Sequence, residues 1–260
     1  MDLELKNKVF IVTGGAKGIG KGIAVFLAQE GAIPFIVGRN ENDILLATQE
    51  IHQNGGKASY AVAELTDPDQ CKNAVFKAFE EFGTINGLVN NAGLNDGVSL
   101  ETGTHDDFVL SLKRSVVHYF TMAHFCLPHL KKSKGAIVNI ASKTSVTGQG
   151  GTSGYAAANG GRNALTREWA VELLPYGIRV NAIIVAECFT PQYQNWIKNF
   201  ENPEERLKII EDRIPLEKRM TTVEEIAHTT VFLLSNKSSH TTGQIVFVDG
   251  GYTHLDRAIE

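Results

Sequence analysis

Short apolar runs alternate with stretches of helical periodicity along all 260 residues, and this alternation restricts the fold more than any other feature. The candidate strands are Lys8 to Thr13, Ile33 to Val37, Ser59 to Val62, Gly87 to Asn90, Ala136 to Ile140, Arg179 to Ile184 and Gln244 to Val248. The candidate helices include Gly18 to Gln29, Asp43 to His52, Pro68 to Phe82, Asp106 to Leu130 and Gly154 to Leu174. Parallel neighbouring strands require crossover connections, which helices supply. We therefore predict one α/β domain over residues 1–260, with a doubly wound sheet of seven mostly parallel strands and helices on both faces.

The first candidate strand runs into a glycine-rich turn and then into the first candidate helix. The turn reads Thr13-Gly14-Gly15-Ala16-Lys17-Gly18-Ile19-Gly20. Backbone N–H groups at such a strand–turn–helix junction can approach the pyrophosphate of a dinucleotide. A glycine-rich turn alone is a weak signal, but this one stands at the first junction of a long alternating chain. The sequence therefore predicts a Rossmann-type sheet whose cofactor-binding residues include Gly14, Lys17, Gly18, Ile19 and Gly20.

Composition and charge exclude several classes of protein. The net charge of −4 and the isoelectric point near 6.1 provide no basic field for nucleic acid. The sequence shows no N-terminal targeting signal and no run of about 18 apolar residues, which predicts a cytoplasmic protein with no membrane segment. Cys71, Cys126 and Cys188 lack the spacing of a zinc site or a disulfide framework, and the eight histidines form no metal-binding pattern. We therefore expect no metal.

A pair of hydroxyl residues in the second half of the chain points to catalysis. Ser142 follows the fifth candidate strand, and Tyr155 stands thirteen residues later. The spacing Gly14-x-x-x-Gly18-x-Gly20, the run Asn90-Asn91-Ala92-Gly93 and the closing Val248-Asp249-Gly250-Gly251 accompany them. With these motifs the chain resembles the short-chain dehydrogenase/reductase family over essentially its whole length. The resemblance implies an oxidoreductase that uses NAD or NADP.

In proteins that this chain resembles, catalysis uses an asparagine, a serine, a tyrosine and a lysine. The tyrosine exchanges a proton with the substrate, the serine orients the substrate oxygen, the lysine holds the nicotinamide ribose and favours tyrosinate, and the asparagine anchors a water. Ser142 and Tyr155 match this set, whereas the asparagine position is Ser115 and the lysine position is Asn159. The further cofactor-binding residues that the resemblance implies are Asn91, Ala92, Gly93, Tyr155, Asn159 and Val185.

Loss of the lysine should weaken catalysis. A free tyrosine has a pKa of about 10, so action as a base near neutral pH needs a depression of about 2 to 3 units. Asn159 lies one helical turn after Tyr155 and can hydrogen-bond ribose hydroxyls, but it carries no charge. Without compensation, turnover should fall by about 10² to 10⁴.

Three nearby cations are candidates to replace the missing charge, namely Lys143, Arg114 and Arg162. Lys143 follows Ser142 directly, so along an extended segment its side chain should point away unless the chain turns there. Arg162 lies one turn beyond Asn159 and would have to reach back. A third departure is Val185-Ala186, where the family usually has Pro-Gly beside the nicotinamide. These departures leave two hypotheses open: a weakened dehydrogenase, or a protein that binds cofactor and ligand without efficient turnover.

Residues after the second candidate strand bear on the choice between NAD and NADP. An acid there would bind the ribose 2′-hydroxyl and repel a 2′-phosphate, but the chain reads Gly38-Arg39-Asn40 with no acid before Glu41. Lys17 and Arg39 converging on one phosphate would favour NADP, with NAD as the alternative. The other interpretation is that both are solvated surface cations. Glu64 occupies the position where the family usually has an aspartate that holds the adenine amino group.

Polar side chains around the predicted site suit a sugar better than a steroid, whose rings need an apolar wall. The candidate substrate-binding residues are Asn95, Lys143, Gln149, Glu187, Gln192 and Trp196. The segments Ser142 to Gly150, Thr166 to Val171 and Gly250 to Ala258 resemble the bacterial L-fucose dehydrogenase branch of the family. That resemblance implies oxidation of the anomeric hydroxyl of L-fucose or a related aldose to a lactone.

Two further features of the sequence concern a substrate lid and the oligomeric state. The aromatic and charged stretch at about 189–215 lies where a substrate lid would be inserted, and we favour a lid over the alternative of a surface helical excursion. Phe120, Phe125, Leu165 and Trp169 extend the apolar surface of two helices beyond one face. A thick core would explain these residues; the family's assembly across the same helices implies a homotetramer.

Overall fold

The computed structural model describes residues 1–255, and within them the centre is one seven-stranded sheet. The strands are β1 (Val9–Thr13), β2 (Ile33–Gly38), β3 (Ser59–Val62), β4 (Gly87–Asn90), β5 (Ala136–Ser142), β6 (Arg179–Val185) and β7 (Ile245–Val248). They lie in the order β3-β2-β1-β4-β5-β6-β7, and each neighbouring pair is parallel. The predicted Rossmann-type α/β fold is confirmed, with all of the described strand pairings parallel.

Helices connect the strands and cover both faces of the sheet. They are α1 (Gly18–Gln29), α2 (Glu41–Gln53), α3 (Pro68–Phe82), α4 (His105–Leu112), α5 (His118–Ser133), α6 (Ser153–Glu172), α7 (Pro191–Ile197), α8 (Pro203–Glu211) and α9 (Val223–Leu234). Side-chain oxygens fix several starts: Thr104 and Asp107 form a capping box at α4, and Thr222 and Glu225 form another at α9. The described helices are too short or too polar to cross a membrane.

The core lies on both sides of the sheet because successive strand residues point to opposite faces. In β1, Val9 and Ile11 pack with α3, α5 and α6, whereas Phe10 and Val12 pack with α1 and α9. Trp169 is only 6% exposed and belongs to the first of these clusters. It is therefore core rather than part of an open helix face.

The sequence predicts a helix from Asp106 to Leu130, and the structure has this helix with one irregular turn. The chain is helical from His105 to Ser133 but widens into a π-helix over Lys113–Val117. Single-turn π segments inside α-helices often mark functional sites. No glycine or proline signals this one, because Pro128 lies eleven residues further on inside α5. The widened turn contains Ser115, which makes tertiary hydrogen bonds described below.

The order of the strands places a crevice above β1 and β4. From β1 the chain builds outward to β2 and β3, and then returns to β4 on the other side of β1. Ligands of doubly wound sheets bind outside the carboxyl ends of the strands at such a reversal. The residues that follow β1, β4 and β5 therefore face a common cleft.

The segment at 189–215 contains two short helices, α7 and α8. The α7 helix begins against the glycine-rich turn, since a Cβ added to Gly18 would lie 3.3 Å from the Thr190 Cβ. Within this segment the Trp196 ring packs edge-on between the rings of Tyr193 and Phe200, with centroids 5.1 and 4.9 Å away. Asp256 to Ala258, which contribute to the sugar dehydrogenase resemblance, lie outside the described residues.

Candidate active site

The glycine-rich turn leaves no room for side chains at its base. Gly14 and Gly18 adopt φ angles of 63° and 53°, a region that favours glycine. A Cβ on Gly20 would lie 2.3 Å from the Gly14 carbonyl oxygen and 2.5 Å from Asn91 Nδ2. The backbone of α1 is thus pressed against the turn. That is the close approach a dinucleotide pyrophosphate needs at a helix start.

Thr13 joins this turn to the loop after β4, a role that the sequence analysis missed. Its hydroxyl donates to the Val89 carbonyl (3.3 Å) and accepts from the N–H groups of Asn91 and Ala92 (2.9 and 3.2 Å). Asn91 Nδ2 donates in return to the Thr13 carbonyl (3.0 Å). The predicted cofactor residues Gly14, Gly18, Gly20, Asn91 and Ala92 therefore form one rigid cradle, which fits a bound dinucleotide.

Both cations predicted to bind a 2′-phosphate have carboxylate partners. Lys17 Nζ lies 2.8 Å from Asp43 Oδ2, and Arg39 Nη1 lies 3.6 Å from Glu64 Oε2. Partial burial raises the pKa of the Glu64 carboxyl, but hydrogen bonds from Thr66 and the Arg39 charge outweigh it and hold the pKa below its usual range. Asp43 lies two residues beyond Glu41 in the first turn of α2, which directs its carboxylate towards Lys17, a contact that the sequence pattern did not indicate.

The structure places Ser142 and Tyr155, the two hydroxyl residues predicted to be catalytic, on adjoining elements. Ser142 is the last residue of β5, next to Val185 of β6 in the sheet, and its Oγ accepts from the Thr144 N–H at 3.3 Å. Tyr155 lies in the first turn of α6 and is partly exposed. The α6 helix packs against β5, β6 and the short 3₁₀ turn that follows Ser142. Ser142, Val185 and Tyr155 thus border the same end of the sheet.

Ser115 and Asn159, the two unusual positions, are both fully buried. Ser115 Oγ donates to the Leu94 carbonyl at 3.1 Å, which ties the π-helical turn to the loop after β4. Asn159 Nδ2 donates to the Tyr155 carbonyl at 2.9 Å. The Asn159 amide is therefore held inside the fold, and the predicted contact with a cofactor ribose remains a proposal.

One guanidinium group contacts both unusual positions. Arg162 is 3% exposed, and its Nη1 donates to Asn159 Oδ1 at 2.9 Å. Its Nε donates to the Ser115 carbonyl at 2.8 Å, and Nη2 donates to the same oxygen. Nη1 also donates to the Ile140 carbonyl at 3.1 Å. Arg162 therefore does reach back to Asn159, because residues three apart on a helix are neighbours and the arginine side chain is long.

The structure brings two of the predicted substrate-binding residues into direct contact. Lys143 and Glu187 form an ion pair in which each side chain is 12% exposed. Lys143 reaches Glu187 because a 3₁₀ turn over Lys143–Ser145 ends the extended segment at Ser142. Its Nζ also lies 4.1 Å from the centroid of the Tyr252 ring. Sequence reasoning could not place this pair, since 44 residues separate its members.

Tyr193 joins the ion pair to the aromatic residues of α7. Burial, and then the charge of Glu187, raise the pKa of the Tyr193 hydroxyl above its ordinary value. The hydroxyl does not reach hydrogen-bond geometry with Glu187, however, and is buried with no partner among the described residues. Its ring packs against that of Trp196. A buried, unpartnered donor beside an ion pair suits a ligand that carries hydroxyl groups.

The remaining predicted substrate residues lie further out. Asn95 is partly buried, and its Oδ1 accepts from the Gly97 N–H at 3.3 Å. Gln149 and Gln192 are exposed, and the described contacts do not connect either of them to the Lys143–Glu187 pair. Within residues 1–255, no cluster of histidine, cysteine, aspartate and glutamate side chains has an arrangement that could hold a metal ion.

The fold and the glycine-rich cradle define a dinucleotide-binding protein. The profile of the family described as "Enoyl-(Acyl carrier protein) reductase" matches residues 14–253. The 3-oxoacyl-[acyl-carrier-protein] reductase FabG of Thermotoga maritima is 33% identical over 250 residues, which cover 96% of this chain and 99% of that protein. The chain belongs to the short-chain dehydrogenase/reductase family of oxidoreductases, whose members use NAD or NADP.

Two solved structures extend the comparison. The structure of Cj0485 dehydrogenase has a TM-score of 0.95 and 46% identity, with 100% of this chain and 99% of that chain covered. The ligand-free aldohexose dehydrogenase of Thermoplasma acidophilum has a TM-score of 0.89 and 25% identity, again covering 100% and 99%. The names of these relatives include substrates as different as an acyl carrier protein thioester and an aldohexose. Similarity therefore establishes the family and leaves the substrate to be argued from the site.

Proposed function

We propose that this protein oxidises the anomeric hydroxyl of L-fucose or a related aldose to a lactone, with NADP as the hydride acceptor. The observation that carries the proposal is the buried Lys143–Glu187 pair beside the free hydroxyl of Tyr193. A sugar offers hydroxyl groups that can donate to a carboxylate and accept from an ammonium or a phenol. The Tyr193 and Trp196 rings supply the apolar surface that a sugar ring needs.

The catalytic roles of Ser142 and Tyr155 are those that the family resemblance implies, and their placement at the carboxyl end of β5 and the start of α6 supports them. The Ser142 hydroxyl donates to the substrate oxygen and orients it, and the Tyr155 oxygen accepts the proton of the anomeric hydroxyl. The rigid cradle of Gly14, Gly20 and Asn91 holds the pyrophosphate end of the cofactor. A nicotinamide bound there would supply the hydride acceptor. A lid formed by α7 and α8, over residues 189–215, would exclude water from this step.

The resemblance of three segments to L-fucose dehydrogenases supports the choice of sugar, and an aldohexose dehydrogenase among the structural neighbours supports the sugar class. The FabG-type relatives support a different substrate, a ketone on an acyl carrier protein. The two candidates differ at the Lys143–Glu187 pair, because sugar hydroxyls could donate to the Glu187 carboxylate, whereas an acyl chain has no hydroxyls to do so. An inactive binding protein is the second function to test, since Asn159 is uncharged.

Steady-state oxidation of L-fucose, with D-fucose and an acetoacetyl thioester as comparison substrates, tests the proposal. We expect turnover of L-fucose with NADP, and a rise in its KM of about tenfold or more in Glu187→Gln, since a hydrogen bond to a charged group contributes about 1.5–3 kcal/mol. Glu172→Gln, on the exposed end of α6, is the matched control and should leave KM unchanged. Faster reduction of the thioester than oxidation of either sugar would refute the sugar assignment.

The cofactor preference has a separate test at Arg39. A 2′-phosphate must compete with Asp43 for Lys17 and with Glu64 for Arg39, so the preference for NADP should be moderate. Arg39→Asp should weaken NADP by at least about tenfold and NAD by less than about threefold, because it removes a phosphate partner and adds repulsion. Arg39→Gln separates these two effects. Equal losses for the two cofactors, measured by calorimetry, would rule out Arg39 as a phosphate ligand.

The proposal extends to assembly and location. Val117, Phe120 and Val171, on the π segment, α5 and α6, are 48%, 55% and 68% exposed. We propose that they meet copies of the chain in a homotetramer, which sedimentation velocity would distinguish from a monomer.

We also propose that the protein is located in the cytoplasm. The three cysteines are buried free thiols, which fits the reducing cytoplasm.

A further inference from the structure

The charged guanidinium of Arg162 is buried, and burial of a charge costs free energy of folding. We therefore expect a function that accounts for it. A buried charge is normally paired with an opposite charge. Arg162 forms no ion pair with a carboxylate among residues 1–255. Carbonyl oxygens of Ser115 and Ile140 and the amide oxygen of Asn159 solvate it instead. Four of its five N–H donors are hydrogen-bonded within the described residues, but its positive charge is not neutralised.

The Arg162 charge lies close to Tyr155, the proposed proton acceptor. The guanidinium carbon lies 6.0 Å from the centroid of the Tyr155 ring and 4.4 Å from that of Tyr119. On its other side it underlies the loop of Asn91-Ala92-Gly93, since a Cβ on Gly93 would lie 2.5 Å from Nη2. Arg162 thus sits between the tyrosine that exchanges the proton and the loop that would hold the cofactor.

The other titratable groups around Arg162 do not supply a competing charge. Burial first, and the Arg162 charge second, lower the pKa of His118 to about 4, so this ring is neutral near pH 7. Burial raises the pKa of Tyr119, against the opposing effect of Arg162, so its hydroxyl stays protonated. That hydroxyl donates to the Ile140 carbonyl at 3.0 Å. Tyr155 is the partly exposed titratable group beside the guanidinium, with Asn159 between them.

From this arrangement we infer that Arg162 supplies, through Asn159, the positive charge that the family takes from its lysine, and that a tyrosinate at Tyr155 is its missing counter-ion. The same guanidinium also donates hydrogen bonds to the carbonyl oxygen of Ser115. One side chain therefore connects Ser115 and Asn159, the two positions of the catalytic set at which the chain departs from the family. Arg162 is a positioning residue: it touches neither substrate nor the reacting atoms. The inference rests on the proposed function, because it needs Tyr155 to accept a proton.

The decisive variant is Asn159→Asp, which neutralises Arg162 without removing it. Aspartate has nearly the shape of asparagine and its carboxylate still accepts from Arg162 Nη1, but it loses the hydrogen bond that Asn159 Nδ2 donates to the Tyr155 carbonyl. Circular dichroism and thermal unfolding therefore accompany the kinetics and establish that the variant is folded. We expect kcat near pH 7 to fall by at least about tenfold and to recover towards the original value near pH 10, where an unassisted tyrosine ionises. A folded Asn159→Asp protein with unchanged kcat at pH 7 would overturn the inference.

Variants of Arg162 itself give a second, independent comparison. Arg162→Gln should show the same loss and the same recovery at high pH, whereas Arg162→Lys retains the charge and should keep kcat within about threefold. Arg167→Gln, on the exposed face of the same helix, should be indistinguishable from the unmodified chain. A loss in Arg162→Gln that is equal at every pH, and equal in Arg162→Lys, would show a purely structural role and contradict the inference.

A Tyr155→Phe reference separates this inference from the proposed function. Turnover that disappears in Tyr155→Phe but is unaffected by Asn159→Asp and Arg162→Gln would leave the dehydrogenase standing and refute the role of Arg162. Turnover that is no higher than in Tyr155→Phe would refute both.

Discussion

Replacement of Tyr155 by phenylalanine should lower sugar oxidation by about 10² to 10⁴ while cofactor affinity stays within about twofold, since the substitution removes the proton acceptor and keeps the ring. The residue lies at the start of α6 beside Ser142, and its hydroxyl is the one part of the side chain that the mechanism uses. Steady-state kinetics gives the loss, and calorimetry with NADP gives the affinity.

Tyr176→Phe is the matched control for this substitution. Tyr176 follows α6 at its far end, is 41% exposed and packs its ring against Lys131, with Nζ 3.8 Å from the centroid. Loss of its hydroxyl should leave kcat unchanged. Comparable rates for Tyr155→Phe and the unmodified chain would mean that another group takes the proton.

Replacement of Gly20 by alanine should weaken cofactor binding by about 100-fold, because the new methyl group would lie 2.3 Å from the Gly14 carbonyl oxygen. Real Cβ atoms do not approach a backbone oxygen so closely, so α1 must move away from the turn. That movement also disturbs Asn91, whose amide would be only 2.5 Å from the methyl group and which ties the turn to the loop after β4. The cradle would then no longer match a pyrophosphate.

Gly160→Ala provides the comparison, since Gly160 is also helical and an added Cβ meets no atom within 4 Å. Alanine in a helix interior is favoured over glycine by about 1 kcal/mol, so this variant should bind NADP normally and be at least as stable. Equal NADP affinities in the Gly20→Ala and Gly160→Ala proteins would show that the glycine-rich turn does not hold the cofactor.

Local patterns in the sequence sufficed for the sheet and for the glycine-rich turn. Apolar runs of strand length and the helical periods between them are properties of neighbouring residues, and β1 to β7 fall within two residues of the predicted bounds. The glycines of the turn are equally local, because the turn itself demands positive φ angles at Gly14 and Gly18. For these features the chain's periodicity and turn chemistry agree with the tertiary fold.

Tertiary contacts account for what the sequence did not reveal. The partners of Lys17, Lys143 and Arg162 depend on how separate elements meet, and Arg162 donates to the carbonyl of Ser115 in the π-helical turn. Arg162 was among the candidate cations, but helical spacing alone could not show that a side chain one turn beyond Asn159 would fold back onto it. The unpartnered hydroxyl of Tyr193 could be recognised only once its surroundings were known.

The most direct test follows deuterium from L-fucose labelled at the anomeric carbon to the dinucleotide, with the unmodified chain and Tyr155→Phe run in parallel. We predict that deuterium appears on the nicotinamide ring with the unmodified chain, that the transfer depends on Tyr155, and that NADP accepts it faster than NAD. If calorimetry shows that the protein binds both NADP and L-fucose, yet no deuterium is transferred above the Tyr155→Phe level at any pH up to about 10, the protein binds its ligands without oxidising them and the dehydrogenase function is contradicted.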